Sequence, residues 1–369
     1  MTHSYRNNMT KSTKSIRQRV YLKKQLLLLA LLAALILFIT GCTLNSEDNG
    51  EEENDDTGEV ENEEENGKEE ESGEAENDDD EEAPAEPQTL AEELGIEKIN
   101  RTMYPLLTIS SRADATHEAE VLGEILKKDP LEATGIVANG WIRVETDNTE
   151  AYIHQAFLSE EEIETVTWGS GEMEEEMILI PNPKEIDAIV NKELALAPDF
   201  HPDDLVQPDV IWAEVSNFRY MRAEAAEALE DLFDHASEEG LTLLGRTGYR
   251  SYEAQENIFI NFVNNHGYEE ARTFSAKPGQ SEHQTGLAMD ITADSVDGGL
   301  SGDFGSTEEG QWVEENAHLH GYIIRYPRDK EEITGYIYEP WHIRYVGVDL
   351  ATELYETGLT MEEYFGRIQ

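Results

Sequence analysis

An acidic stretch near the start of the chain sets the strongest limit on what can fold. Residues 47–86 contain 23 Asp and Glu against a single Lys, with almost no large apolar side chains. Like charges extend such a segment, and it has too little apolar surface to offset the entropy lost on folding. Any packed domain must therefore be built from the residues that follow.

The charge of the chain argues against two classes of partner. The 369 residues carry a net charge of −53; residues 1–46 contribute +7 and residues 47–86 contribute −22, which leaves −38 for residues 87–369. An acidic surface of this kind repels nucleic acid and anionic lipid headgroups. The length itself accommodates two or three domains.

The first residues are typical of a targeting segment. A basic region precedes 14 apolar residues, Leu26–Ile39, and then Thr40-Gly41-Cys42. Fourteen apolar residues are few for a membrane span but suit a signal peptide. Ile39-Thr40-Gly41-Cys42 resembles a bacterial lipobox, and Cys42 is the only cysteine, so an intramolecular disulfide is excluded. An ordinary cleaved signal peptide and an uncleaved anchor stay open as alternatives.

The lipobox resemblance implies the organisation of the N-terminal region. We predict a lipoprotein signal peptide over residues 1–41 and a lipidated Cys42 followed by a disordered acidic tether over residues 42–86. The protein would then be extracytoplasmic, with a lipid anchor on the outer face of the cell membrane.

Residues 101–160 are predicted to form a small all-β domain. Short apolar runs alternate with turn residues, and Asn139-Gly140 is a hairpin signal because both residues tolerate positive φ. The order of strands and turns around Trp141 and Tyr152 is similar to bacterial SH3-like barrels, which implies that this domain could bind the cell wall. Core packing is the favoured interpretation of Trp141 and Tyr152 themselves. Residues 161–177 are predicted to be an acidic linker.

Residues 178–369 have the composition of a globular domain. Apolar spacing of three and four residues predicts a helix from Met221 to Glu239, and another is predicted from Tyr252 to His266. Residues 178–200 are predicted to form a strand, a turn and a helix, with Pro183 in the first helical turn. Strands are predicted near residues 288–292, 322–326 and 342–346. Helices and strands do not alternate regularly, which favours an α+β domain with a mostly antiparallel sheet.

Two short motifs carry the candidate chemistry. The first runs from Ser281 to Asp290 and includes His283; the second is Glu339-Pro340-Trp341-His342. Two imidazoles and a carboxylate suit a catalytic Zn²⁺, which takes three protein ligands and leaves one position for water. We therefore predict one zinc ion held by His283, Asp290 and His342, with Glu339 as general base. The alternative is that these are unrelated polar residues near a sheet.

These motifs resemble the VanY-like D-alanyl-D-alanine carboxypeptidases, a group of zinc peptidases related to lysostaphin-like and hedgehog-like folds. Further segments from Gly248 to Tyr336 support the resemblance over about residues 178–369. It implies hydrolysis of the D-Ala-D-Ala bond in peptidoglycan stem peptides and the same α+β fold. It also implies that Arg250 binds the substrate carboxylate, with Gln255 and Ser281 near the substrate.

The sequence also bears on three other functions. An L,D-carboxypeptidase acting on tetrapeptide stems shares these motifs, so the motifs do not distinguish it. A non-enzymatic wall-binding lipoprotein is disfavoured by the intact set of His, Asp and Glu residues. A serine carboxypeptidase of the penicillin-binding type is excluded, because no Ser-x-x-Lys occurs in the chain.

Overall fold

The computed structural model describes residues 89–366, apart from 128, 147–148, 170 and 217. The predicted signal peptide, the lipidated Cys42 and the acidic tether lie outside the described residues. Within the described part, no helix is both long enough and apolar enough to cross a membrane.

The N-terminal part of the described chain is a seven-stranded antiparallel sheet preceded by helix α1 (Leu90–Leu94). Its strands are β1 (Ile96–Pro105), β2 (Ile109–Arg112), β3 (Val121–Ile125), β4 (Leu131–Val137), β5 (Trp141–Thr146), β6 (Thr149–His154) and β7 (Leu158–Ser159). The spatial order is β3-β2-β6-β5-β4-β1-β7. We call residues 96–159 the β domain.

The β4–β5 hairpin shows how the sequence directs this sheet. Residues of β4 alternate between buried and accessible positions, with Leu131, Ala133 and Val137 facing the core. Gly140 has a φ of 88° and its N–H donates to the Val137 carbonyl at 3.0 Å, so the predicted turn at Asn139-Gly140 is confirmed. The all-β character is confirmed as well, although the sheet as described is open, with β3 and β7 at its edges, rather than a closed barrel.

The structure corrects the interpretation of residues 161–177 as an acidic linker. They form strand β8 (Thr165–Trp168) and most of β9 (Glu175–Leu179). Strand β9 is the centre of a three-stranded sheet and pairs with β8 on one side and β10 (Leu194–Ala195) on the other. Trp168 is buried against Phe259, with the ring centroids 5.5 Å apart. Its indole N–H donates to Glu256 at 3.1 Å. Trp168 and Met177 are buried while most of the acidic groups of the segment stay accessible, so a high charge did not prevent folding.

The sheet that carries parts of both motifs has four antiparallel strands in the order β13-β14-β16-β15. They are β13 (Leu244–Thr247), β14 (Ala288–Thr292), β15 (Tyr322–Tyr326) and β16 (Glu339–Tyr345). The predicted strands near residues 288–292, 322–326 and 342–346 are confirmed. A two-stranded ribbon, β11 (Leu205–Val206) with β12 (Met221–Arg222), lies before them in the chain.

The helices of this part include both of the long ones predicted. They are α2 (Ala223–Glu238), α3 (Tyr252–His266), α4 (Tyr268–Phe274), α5 (Glu308–Asn316), α6 (Glu331–Thr334), α7 (Val348–Thr357) and α8 (Met361–Tyr364). The apolar stripe of α2 is buried through Leu229, Leu232 and Phe233, in one core cluster with Met289 and Ile343 of the sheet. The α+β class with a mostly antiparallel sheet is therefore confirmed.

The helix predicted within residues 178–200 does not form. These residues make turns followed by β10. The side-chain oxygen of Asn191 accepts from the backbone N–H groups of Glu193 at 3.0 Å and Leu194 at 3.1 Å. This local hydrogen bonding competes with a helix, as Asn side chains commonly do. The apolar residues Val190 and Leu196 are buried by extended and turn conformations instead.

The β domain and the C-terminal helices share one hydrophobic core. Leu106 and Phe157 belong to the same cluster of buried residues as Leu354, Met361 and Phe365. Residues 89–366 accordingly belong to a single folded unit.

Two aromatic residues considered for wall binding are core residues. Trp141 is 4% exposed and Tyr152 is 6% exposed, and both pack in a cluster with Ala91 of α1. Gly366 lies against the Trp141 ring, since a Cβ at that glycine would be 3.4 Å from a ring carbon. The favoured interpretation as core packing is confirmed for both side chains.

The pH dependence of stability tests the junction between the β domain and the C-terminus. The His154 ring stacks on Phe365 at a centroid distance of 4.2 Å, and burial lowers the pKa of His154 to about 3. The unfolded chain therefore binds a proton below about pH 6.5 that the folded chain does not. This contribution to stability is present above that pH and is lost as the pH falls towards 3.

We predict that the free energy of unfolding falls by about 2–3 kcal/mol more in the wild type than in His154→Gln between pH 7.5 and 4.5. Denaturant unfolding at the two pH values measures the difference. His201→Gln, which changes an exposed histidine, should behave like the wild type. Equal pH dependence in the wild type and His154→Gln would contradict the prediction.

Candidate active site

Strand pairing brings together residues that lie far apart in the sequence. In the β14–β16 pair, Asp290 is directly opposite His342. His283 lies in a 3₁₀ turn over residues 282–285, just before β14, and Gly286 ends that turn with a φ of 71°. A left-handed residue is needed there, and glycine adopts it without steric cost. The turn and the sheet register place His283 next to Asp290.

The three side chains form one buried cluster. The Asp290 Oδ1 atom lies 2.9 Å from His342 Nδ1 and 3.4 Å from His283 Nε2. One ligand atom from each residue can be chosen so that all of them lie within 4.8 Å of one another. Each residue is at most 4% exposed. It is the only such group of three or more His, Cys, Asp or Glu residues within the described part of the chain.

The outer nitrogen of each imidazole has a hydrogen-bond acceptor. His283 Nδ1 donates to the Gly248 carbonyl at 2.8 Å, and His342 Nε2 donates to Glu282 Oε2 at 3.3 Å. These bonds hold the outer N–H of each ring, so His283 Nε2, and His342 Nδ1 once it has lost its proton, are the nitrogens that can bind a metal. Metal-binding histidines show this arrangement, in which the second N–H is held by a carbonyl or carboxylate. The donor set therefore fits a Zn²⁺ ion with two nitrogen ligands and one oxygen ligand.

Glu339 lies at the start of β16, opposite Tyr326 of β15. Its side chain is buried, yet its carboxylate makes no hydrogen bond or ion pair within 4 Å to any described residue. After burial, the groups that most affect the pKa of Glu339 are His342, Asp290 and the two cations Arg250 and Lys192. A buried carboxylate without partners beside the cluster is available for proton transfer.

Arg250 lies between β13 and α3, and its backbone N–H donates to the His283 carbonyl at 3.2 Å. Its side-chain Nε is buried without a partner, and the guanidinium forms no ion pair with a described residue. An unpaired buried N–H is costly, which suggests a missing acceptor.

The two other predicted substrate residues are both buried. Gln255 is 1% exposed; its Nε2 donates to the Ala276 carbonyl at 2.7 Å, while its Oε1 is buried without a partner. Ser281 begins the turn that carries His283, and it is 3% exposed. Its hydroxyl forms no hydrogen bond to a described residue.

Comparison with known proteins identifies the family. Residues 218–348 match the model of the VanY D-alanyl-D-alanine carboxypeptidase family. The chain is 50% identical over 192 residues to YodJ of Bacillus subtilis, which covers 52% of this chain and 70% of YodJ. The chain belongs to the VanY family.

Other matches of this VanY-family chain agree with that assignment. It is 41% identical over 167 residues to a D-alanyl-D-alanine carboxypeptidase of Enterococcus faecalis, covering 43% of the chain and 60% of that enzyme. The solved structure of the LD-carboxypeptidase LdcB is 46% identical, with a TM-score of 0.50, and covers 56% of this chain and 95% of LdcB. Residues 112–159 match the model of a bacterial SH3 domain.

Burial and neighbouring charges set the protonation states of His283, Asp290 and His342. Burial and the nearby Arg250 lower the pKa of His283 to about 4, which keeps this imidazole neutral at pH 7. Burial opposes charge on His342 too, but Asp290 and Glu282 outweigh it and raise its pKa to about 9. The two imidazoles hold the pKa of Asp290 well below its usual range despite burial. Metal binding would displace the proton from His342.

The pKa of the general-base candidate, Glu339, lies close to neutral pH. Burial raises the pKa of Glu339 to about 7, and Asp290 adds to this while the cations oppose it. A group with such a pKa can both accept and return a proton under physiological conditions. This property matches the role predicted for Glu339.

The structure adds four residues to which the sequence assigned no role at the site. Glu282 accepts from His342, Tyr336 presents a buried hydroxyl with no partner, and the Lys192 Nζ lies 4.5 Å from the centroid of the Tyr336 ring. Tyr326 stacks on His342 at 5.0 Å and packs against Tyr336 at 4.6 Å. Glu282 could have been predicted at the site because it is adjacent to His283 in the sequence. Lys192 could not, because only the tertiary structure brings it close to these residues.

Proposed function

We propose that this protein is an extracytoplasmic zinc carboxypeptidase that removes the terminal D-alanine from peptidoglycan stem peptides. His283, Asp290 and His342 would hold the zinc ion. The observation that carries the proposal is the convergence of three metal-ligand side chains, with the outer N–H of each imidazole donating to a protein oxygen. Membership of the VanY family supports the reaction class.

The proposed mechanism assigns one task to each nearby side chain. When bound, zinc supplies Lewis-acid activation of water and of the scissile carbonyl. Glu339 accepts the proton of the attacking water and returns it to the departing amine, a role for which a pKa near 7 is suited. Arg250 binds the free C-terminal carboxylate of the substrate through its planar fork of donors. Gln255 and Ser281 offer further hydrogen-bonding groups to the peptide.

Two bonds are candidates for cleavage. We propose the D-Ala-D-Ala bond first, because the matched family and the Enterococcus faecalis relative are described by that activity. Cleavage of an L,D bond in tetrapeptide stems is the second candidate, supported by the similarity to LdcB, an LD-carboxypeptidase. Both reactions release a terminal D-alanine and use the same catalytic groups.

The location of the enzyme is part of the proposal. A lipid on Cys42 would anchor the protein to the outer face of the membrane, and the acidic segment up to residue 86 would extend the folded part towards the wall. Contact of the bacterial SH3 domain with peptidoglycan remains a prediction. Trp141 and Tyr152 are buried and so are unsuited to form that contact surface.

Replacement of the general base tests the catalytic assignment. Glu339→Gln should reduce kcat by about 10²–10⁴-fold, because the variant cannot accept the proton of water. Its zinc content should remain that of the wild type, since Glu339 is not a proposed ligand. Release of D-alanine and metal analysis of the purified full chain measure both. Glu332→Gln, which changes an exposed residue of α6, is the control.

In the same assay, a chelator should abolish activity of the wild type, zinc should restore it, and penicillin should have no effect. Full activity of metal-free protein, or unchanged kcat in Glu339→Gln, would contradict the proposed mechanism.

Recognition of the substrate carboxylate can be measured with paired substrates. Arg250→Lys should lower kcat/KM by about 10–100-fold for a peptide with a free C-terminal carboxylate, because lysine replaces a bidentate contact by a single charge. Peptides with an amidated C-terminus should lose less than about threefold. The exposed Arg101→Lys is the matched control. Equal losses on both substrates would remove Arg250 from this role.

The bond that is cleaved can be determined from defined muropeptides. The D,D assignment predicts that kcat/KM for a pentapeptide stem exceeds that for the matching tetrapeptide at least about tenfold, a difference of about 1.4 kcal/mol in transition-state binding. Mass analysis of the products identifies the bond. The reverse preference would overturn the D,D assignment in favour of the L,D reaction and leave the metal centre intact.

A further inference from the structure

A chain of buried ion pairs links the candidate metal centre to the C-terminal helix. His342 Nε2 donates to one oxygen of Glu282, and the other oxygen accepts from Arg325 Nε at 2.8 Å. The two terminal nitrogens of Arg325 then donate to both oxygens of Glu362, at 3.0 Å and 2.6 Å. The path therefore runs from His342 through Glu282 and Arg325 to Glu362.

Each member of this chain is removed from water. Glu282 and Arg325 are 1% exposed and Glu362 is 0% exposed. Charges at such positions are stable only when they are paired with good geometry, and removal of one partner leaves an uncompensated charge. Arg325 is shared between two carboxylates, so its position depends on both. A change at Glu362 must therefore be felt at Glu282.

Glu282 has one further partner on the other side. Arg344 Nη1 donates to Glu282 Oε1 at 2.6 Å, and Arg344 Nη2 donates to the carbonyls of Ile186 and Ala188. The arginines lower the pKa of Glu282 despite its burial, so it is ionised. Its second oxygen is thus the acceptor that orients the His342 ring.

Helix α8 carries Glu362. It is held by packing outside the four-stranded sheet β13-β14-β16-β15. Thr360 and Glu363 form a capping box at its start. Met361 is 0% exposed and lies in the core shared with the β domain, and Phe365 stacks on His154 of β6. Asn191 Nδ2 donates to Glu362 at 3.3 Å. The position of the Glu362 carboxylate is therefore set by the junction with the β domain.

We propose that Glu362 is a positioning residue for the metal centre, acting on His342 through Arg325 and Glu282. The proposal rests on the assignment of His342 as a zinc ligand. It gives the contact between α8 and the β domain a role in metal affinity, since that contact fixes the far end of the ion-pair chain. Without the Glu362 charge, Arg325 shifts towards Glu282 and withdraws the acceptor from the His342 ring.

The neighbouring residue provides a matched control. Glu363 lies on the same helix and also forms an ion pair, with Lys330 at 2.8 Å, but it has no bond to any described member of the chain that ends at His342. Glu363→Gln and Glu362→Gln make the same chemical change one residue apart. A general loss of helix stability would appear in both variants, whereas a loss through the ion-pair chain would appear in only one.

The test measures zinc affinity of the full chain by competition with a chelating dye, together with kcat, KM and the unfolding temperature. Glu362→Gln should bind zinc about 10–100-fold more weakly, as is typical when an outer partner of a ligand is changed. At saturating zinc, kcat should fall more than KM changes. Glu363→Gln should bind zinc within about twofold of the wild type, since no partner of a ligand is altered.

If Glu362→Gln does not fold, Glu362→Asp replaces it, because aspartate keeps the charge and withdraws the carboxylate by one methylene. It should still weaken zinc binding by several fold. A folded Glu362 variant with wild-type zinc affinity would overturn the positioning role alone. A wild-type chain that binds no zinc would overturn the proposed function and this role with it.

Discussion

The need to satisfy a buried glutamate organises the centre of this protein. Glu282 is fully enclosed, and its two oxygens accept from Arg325, Arg344 and His342. The cost of removing a carboxylate from water is offset only because several donors converge on it. Those donors come from two neighbouring strands, β15 and β16. The position of the candidate metal site in the fold follows from this convergence. His342 is one of the donors to Glu282, and His283 directly follows Glu282 in the sequence.

The buried ion pairs and the shared hydrophobic core make the β domain an integral part of the fold. Phe157 of the β domain and Phe365 after α8 share one core, and Glu362 joins that core to the buried ion pairs. A wall-binding module on a flexible linker would have left the catalytic part independent of it. Here the segment from 161 to 177 is folded between them, with Trp168 packed against Phe259 of α3. The acidic character of the chain therefore coexists with a continuous interior.

Much of the fold was predictable because it depends on local patterns. Helix α3 has the predicted bounds, Tyr252–His266, since Ser251 caps its start and Gly267 its end. The helix predicted near residue 190 was wrong because the side chain of Asn191 bonds the backbone two and three residues later. The prediction of a linker at residues 161–177 was wrong because it was based on the high content of acidic residues. Burial of Trp168 and Met177 instead stabilises a folded segment there. In both cases a few specific contacts outweighed composition.

The sequence by itself determined which groups are present at the site. The two motifs contain His283, Asp290, Glu339 and His342; their types suit a catalytic zinc ion, and the resemblance to VanY-like motifs implied a peptidase. Only the tertiary structure decided which nitrogen of each imidazole faces inward, and that the side-chain Nε of Arg250 is buried without a partner. It also decided that Glu362, 80 positions after Glu282 in the numbering, shares an arginine with it. Local spacing cannot encode such pairings, because they depend on strand register and on how two parts of the chain pack together.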